Sequence, residues 1–214
     1  MPLQNRVNPL GEININPSRG TLMGNRGILH DENKNLKSVS KIKGWVTCKL
    51  EFKDRKRELM APNRYTELFF LDEATAFSAG HRPCAECRRD RYNEFKLKWL
   101  EANRELLDGQ KESIGNIDKI LHTERINKKE KVSYVAYMNE LPSGTIFEDE
   151  KILYLVWNSE LYEWNYEGYS VSNKSILSKE VRVLTPKSYV RMFKKGFVPF
   201  VHDSVKKNVI NLYK

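Results

Sequence analysis

Long apolar runs, paired cysteines and familiar phosphate-binding motifs are what this sequence is short of. No stretch of the 214 residues approaches the ~20 apolar residues that a helical membrane span needs, and no basic-then-apolar export signal opens it. Three cysteines, an odd number, exclude a disulfide framework as the organising principle and point to a reducing, cytoplasmic address. The glycine-punctuated segment Ser18–Gly27 matches neither the Walker pattern nor the dinucleotide fingerprint. It reads as a structured loop packed on the core, the alternative being a loop whose backbone amides cradle a phosphate. Internal repeats and low-complexity linkers are missing as well.

What is present describes an ordinary globular protein with an uneven charge. Hydrophobic residues make up 40% and charged residues 30% of the chain, enough to bury a core of its own. The length fits one large domain or two small ones, with a soft boundary near 108–131 that separates residues 1–108 from 109–214. The net charge is +9, and residues 1–70, 81–104 and 185–214 carry +6, +3 and +6, whereas 105–184 carry −4. Basic clusters at Lys53–Arg57, Arg82–Arg91 and Lys194–Lys207 form a footprint for a polyanion if folding gathers them; the alternative is a solvated basic surface.

The most informative stretch is Gly80-His81-Arg82-Pro83-Cys84-Ala85-Glu86-Cys87-Arg88-Arg89-Asp90-Arg91. Before it, Asp72 to Ala79 reads as a short helix with Asp72 as N-cap and Gly80 as its stop. After it, Tyr92, Phe95, Leu97, Trp99 and Leu100 recur among charged residues as an amphipathic helix of about five turns. A Cys-x-x-Cys turn at a helix N-terminus aims two sulfurs at one point, and a metal and the helix dipole both favour thiolates there. A bound Zn²⁺ on Cys84 and Cys87 is the expected occupant; the alternative is a pair of reduced, partly buried thiols. A redox disulfide is excluded because the preceding segment is helical rather than a thioredoxin-like strand.

Residues Gly44 to Tyr92, with Phe69-Phe70, the Ala-rich helix and Arg82-Pro83-Cys84-Ala85-Glu86-Cys87, resemble the second half of the zinc-binding domain of the Ada DNA-repair protein. The chain as a whole is also similar to an uncharacterised bacterial family of comparable length. The Ada resemblance implies a zinc ion held by four cysteines, one of an upstream pair accepting a methyl group from a DNA phosphotriester. Here Cys48 is the upstream cysteine, and Phe52 stands where its partner is expected. The metal ligands are therefore expected to be Cys48, Cys84 and Cys87, with His30, His81, His122 or water in fourth place. His81 occupies an aromatic position of the family, so packing or a phosphate contact is the expectation for it.

Cys48 lies in Gly44–Phe52, an alternating strand that puts Val46, Cys48, Leu50 and Phe52 on one apolar face. A small buried hydrophobe is the alternative reading of that cysteine. A second strand near Tyr65–Leu71 follows the basic turn, as in a hairpin, and Ile28–Asn33 reads as another short strand. Ile114–Lys129 reads as a helix with His122, Glu124 and Arg125 beside its buried stripe. Val132–Met138, Ile152–Trp157, Leu161–Trp164 and Val181–Leu184 read as an antiparallel sheet dense in Tyr and Trp, its aromatics either sheet core or a stacking surface for bases. A helix from Pro186 to Lys195, ended by Gly196, and a last strand Phe197–His202 precede a basic tail.

The expected fold class is α+β: a zinc-stabilised strand–helix–knuckle–helix unit, then a small antiparallel sheet with a C-terminal helix. The expected function is DNA binding through phosphates, with Arg82, Arg88, Arg89 and Arg91 as contacts at a helix N-terminus. One alternative is an enzyme on nucleic acid or nucleotides. That enzyme is either a nuclease using His122 or a deaminase built on His30-Asp31-Glu32 and Pro83-Cys84-Ala85-Glu86-Cys87. The other is a protein-interaction module with a structural zinc.

Overall fold

The computed structural model describes residues 1–54 and 58–205. Arg55, Lys56 and Arg57 of the basic turn, and Lys206 and Lys207 of the C-terminal basic cluster, lie outside them. Strands β1 (Gln4–Val7), β2 (Ile13–Ile15), β3 (Leu22–Asn25), β4 (Val46–Cys48) and β5 (Leu68–Phe70) precede helix α1 (Glu73–Ser78). Strand β6 (Arg82–Pro83), helix α2 (Arg89–Asn103) and helix α3 (Ile114–Arg125) follow. Then come β7 (Ile126–Asn127), β8 (Glu130–Lys131), β9 (Tyr134–Tyr137), β10 (Ile146–Asp149), β11 (Ile152–Trp157), β12 (Glu160–Asn165), β13 (Gly168–Val171), β14 (Glu180–Val183) and helix α4 (Lys187–Lys194). The fold is mixed α+β.

A first sheet has the order β2-β1-β5-β3-β4-β6, and a second the order β13-β12-β11-β10-β14-β9. The glycine-punctuated N-terminal segment supplies β3, the strand between β5 and β4, so these two are not joined as a hairpin. Gly24 permits that placement: a Cβ there would lie 2.2 Å from the Val46 carbonyl oxygen. Strand β4 is shorter than expected, and its faces are reversed. Trp45 and Thr47 are buried, at 2% and 1% exposure, while Val46 and Cys48 are half-buried on the other face. Hydropathy alternation misleads here because Thr47 buries its hydroxyl against the Arg82 carbonyl and the Arg88 guanidinium.

The core runs across residues 108 and 109. Phe77 of α1, Phe95 and Trp99 of α2, and Ile117 and Leu121 of α3 pack with Tyr189, Met192 and Phe193 of α4. Leu71 and Ala74 pack with Ile146, Leu155 and Tyr162 of the second sheet, whose other face buries Phe147, Tyr154, Val156 and Val183. Tyr154, Tyr162 and Tyr169 are thus sheet core. Helix α2 has 15 residues, closer to four turns than five at ~3.6 residues per turn.

Neither Ile28–Asn33 nor Phe197–His202 forms a strand; the first holds an isolated bridge, His30 to Leu36. In the second, Pro199 has no amide to give, while Phe200 N–H donates to Glu73 Oε2 at 2.9 Å and His202 N–H to Asp72 Oδ2 at 2.9 Å. The carboxylates at the start of α1 take the donors that a ladder would need. No helix among the described residues is long and apolar enough to cross a membrane.

Candidate metal centre

Cys48 closes β4, and Cys84 follows directly on β6. These strands pair in parallel with Val46 opposite Arg82 and Thr47 opposite Pro83, and Cys84 N–H continues the ladder to the Thr47 carbonyl at 2.9 Å. Residues distant in sequence therefore leave the sheet side by side. Cys87 arrives on the turn that leads into α2. The Sγ atoms of Cys48, Cys84 and Cys87 all lie within 4.8 Å of one another. Tetrahedral ligands at ~2.3 Å from zinc stand ~3.8 Å apart, so the cluster fits a thiophilic ion with little adjustment.

The surroundings favour the thiolate at Cys84. Glu86 N–H donates to Cys84 Sγ at 3.4 Å, and α2 begins two residues after Cys87 with no side-chain cap. Its N-terminal partial charge is therefore not met by a capping side chain. A hydrogen bond from Cys48, and behind it the backbone amides of Cys87 and Glu86, bring Cys84 down to about 5 against the opposing effect of burial. Cys48, as the donor in that bond and half-buried, is pushed upward, and burial raises Cys87.

None of the histidines joins the cluster among the described residues. His30 is held by Thr66 Oγ1 at 2.6 Å and faces the Ala61 carbonyl. His81 is fully buried between Phe70 and Trp45, where Arg26 Nε donates to its Nε2 at 3.2 Å. Burial and then Arg26 push it well below the ordinary histidine range. The packing expectation for His81 holds. His122 sits edge-on to Trp45, beside Arg125.

The arginines of the motif divide. Arg82 makes two 2.8 Å bonds to Asp118 of α3. Arg88 reaches Glu73 Oε1 at 2.5 Å and Thr47 Oγ1 at 2.7 Å. Arg91 meets the same Glu73 at 2.5 Å, reaches Glu94 at 2.7 Å, and lies over the rings of Phe197 and Phe200. These three are spent internally, each on a carboxylate the sequence order does not place beside it. Arg89 is the exposed member of the row.

No protein-family model, curated protein or solved structure matches the chain.

The three cysteines line a pocket of about 290 Å³ with Phe52, Leu59, Tyr65, Glu67 and Phe69. Phe52, in the place the Ada resemblance gives to a second upstream cysteine, is a wall of this pocket rather than a ligand. Sequence reasoning missed the pocket, since Leu59, Tyr65 and Glu67 belong to irregular chain. Lys53, beside Phe52, lies 3.9 Å from Glu86 as an exposed pair, which contributes little.

Proposed function

We propose that the chain is a zinc-binding, DNA-binding protein in which Cys48, Cys84 and Cys87 hold Zn²⁺ and exposed basic side chains around the start of α2 contact backbone phosphates. The convergence of three cysteines from two strands and a turn on one helix N-terminus carries this reading. In it, β4 through α2 is a zinc-stabilised strand–helix–knuckle–helix unit, as the likeness to the Ada domain implies. When bound, zinc supplies a fixed positive charge that keeps the thiolates deprotonated and ties β4 to the knuckle. Arg82, Arg88 and Arg91 are positioning residues, and Arg89 with Lys49 and Lys53 is the contact surface. All three contact side chains are exposed.

A second reading, an enzyme acting on nucleic acid or nucleotides, is favoured by one observation. Structural zinc sites close with four protein ligands, whereas catalytic ones leave a position open. Here three ligands border a pocket with Glu67 and Tyr65 in its wall. Titrating the zinc-loaded protein with labelled duplex and single-stranded DNA at low and high salt tests the first reading. With about six phosphates engaged, affinity falls roughly 10³-fold between 50 and 200 mM salt. No measurable affinity at low salt removes the DNA reading, and turnover of a nucleotide without DNA affinity installs the second.

A further inference from the structure

On the opposite face of the first sheet from the cysteines lies a larger cleft, about 760 Å³, that shares no lining residue with the metal pocket. The separation follows from strand alternation: Asn25 and Val46 turn to the cysteine side, and their neighbours Arg26 and Trp45 line the cleft. Arg125 and Lys131 line it as well.

Arg26 and Arg125 are 1% and 2% exposed, and their guanidinium carbons lie 4.1 and 4.0 Å from the Trp45 ring centroid. Among the described residues, neither arginine nor Lys131 forms an ion pair; their partners are neutral. Arg26 donates to the Gly11 carbonyl at 2.9 Å and to His81. Arg125 donates to the carbonyls of Gly80 and Lys43, and Lys131 to that of Ser78. Arg26 Nη2 and Arg125 Nε are buried without any hydrogen-bond partner. Burial and then Arg125 bring Arg26 down to about 9, which leaves it charged at neutral pH. Lys131 is brought to about 7 by burial, with Arg26, Arg125 and Arg182 acting in the same direction. The acids lining the cleft, Glu12 and Glu130, are exposed.

Buried charge without a counter-charge is strongly destabilising, and here two buried arginines share one cavity with the half-buried Lys131. The rest of the chain pairs its buried arginines carefully: Arg82 with Asp118, Arg88 and Arg91 with Glu73. The contrast marks the cleft as built for a negative charge brought from outside. Guanidinium pairs suit the planar, multi-acceptor geometry of oxyanions, and Leu10, Ile13 and Val39 give the cleft an apolar wall.

We infer that this cleft is an oxyanion site that takes the phosphate monoester of a small organic ligand or of a nucleic-acid 5′ end, seated against Arg26, Arg125 and Lys131. The site is separate from the metal centre, and it stands or falls independently of the DNA reading.

The test uses the full chain and three probes: inorganic phosphate, a 5′-mononucleotide, and a short single strand with and without its 5′-phosphate. Calorimetry and thermal melts read binding. Phosphate at millimolar concentration should raise the melting temperature by several degrees. A mononucleotide that binds at least tenfold more tightly than phosphate assigns the small ligand; discrimination between the phosphorylated and unphosphorylated strands assigns the 5′ end. Lys131→Met should lose binding at least tenfold while keeping the zinc content and far-ultraviolet spectrum of the parent. Arg26→Met should abolish the phosphate-induced shift and, without phosphate, melt no lower than the parent. Absence of binding by all three probes overturns the inference, as does undiminished binding by both variants. An Arg26→Met protein that melts far below the parent in phosphate-free buffer also overturns it, because Arg26 would then be a structural residue.

Discussion

Arg82 and Asp118 meet in two parallel bonds of 2.8 Å, with 8% and 9% of their side chains exposed. One residue belongs to β6, immediately before the cysteine turn; the other faces it from α3. The pair fixes the turn from behind, so the sulfur geometry depends on a carboxylate 36 residues downstream.

Breaking that pair from one side leaves a guanidinium buried without its counter-charge. Asp118→Asn should cost about 3–5 kcal/mol of stability, measured by denaturant unfolding, and should weaken metal retention. Replacing both partners with Leu or Met should cost much less, since no charge is then stranded.

Gly80 ends α1 at φ +87°, where a Cβ would lie 2.5 Å from Arg125 Cδ. Gly80→Ala adds the strain of the left-handed region to that collision. A loss of about 1–3 kcal/mol is expected from such strain and overpacking, and thermal melting reads it.

The DNA reading separates two neighbouring arginines. Arg89→Ala removes an exposed cation and should weaken DNA binding for all sequences alike, lowering the salt slope by about one charge, with stability unchanged. Arg88→Ala strips a buried partner from Glu73 and should appear first as lost stability. Equal effects of the two variants on DNA affinity at matched folding would contradict this division.

Lys131 contributes one part of the pH dependence of stability. Its folded pKa is lowered from 10.5 to about 7, chiefly by burial, and Arg26, Arg125 and Arg182 add to the shift. Between these values the unfolded chain binds more protons, so stability rises with pH over this interval. Below about pH 7 the full desolvation penalty of the Lys131 ammonium is present. Denaturant midpoints across pH 7–10 should climb more steeply in the parent than in Lys131→Met, the remaining rise coming from Cys84 and Arg26, whose folded values are also lowered.

Local signals were legible in the sequence, and pairings between distant segments were not. Asp72 capping Thr75 at 2.8 Å, Ile152–Trp157 as a strand, and the helix stopped by Gly196 follow from neighbouring residues. The proximity of Cys48 to Cys84 and Cys87 could be expected from the order of parts. The destination of each arginine could not, because Glu73 and Asp118 are brought in by tertiary packing. Strands β1, β2 and β3 went unread because each is short and carries Asn, with Gly as well in β3. Reversal of the β4 faces has a similar origin: Thr47 is buried by its hydrogen bonds rather than by hydropathy. The cleft of Arg26, Arg125 and Lys131 draws on three separate segments, and nothing local in them marks it.

The central claim is a three-thiolate metal centre, and X-ray absorption at the zinc edge on protein purified without added metal addresses it most directly. The account predicts close to one zinc per chain with three sulfur neighbours at ~2.3 Å and one lighter donor, falling to two sulfurs in Cys48→Ser. Protein that carries no zinc, or a zinc whose sulfur count is unchanged by Cys48→Ser, would contradict it.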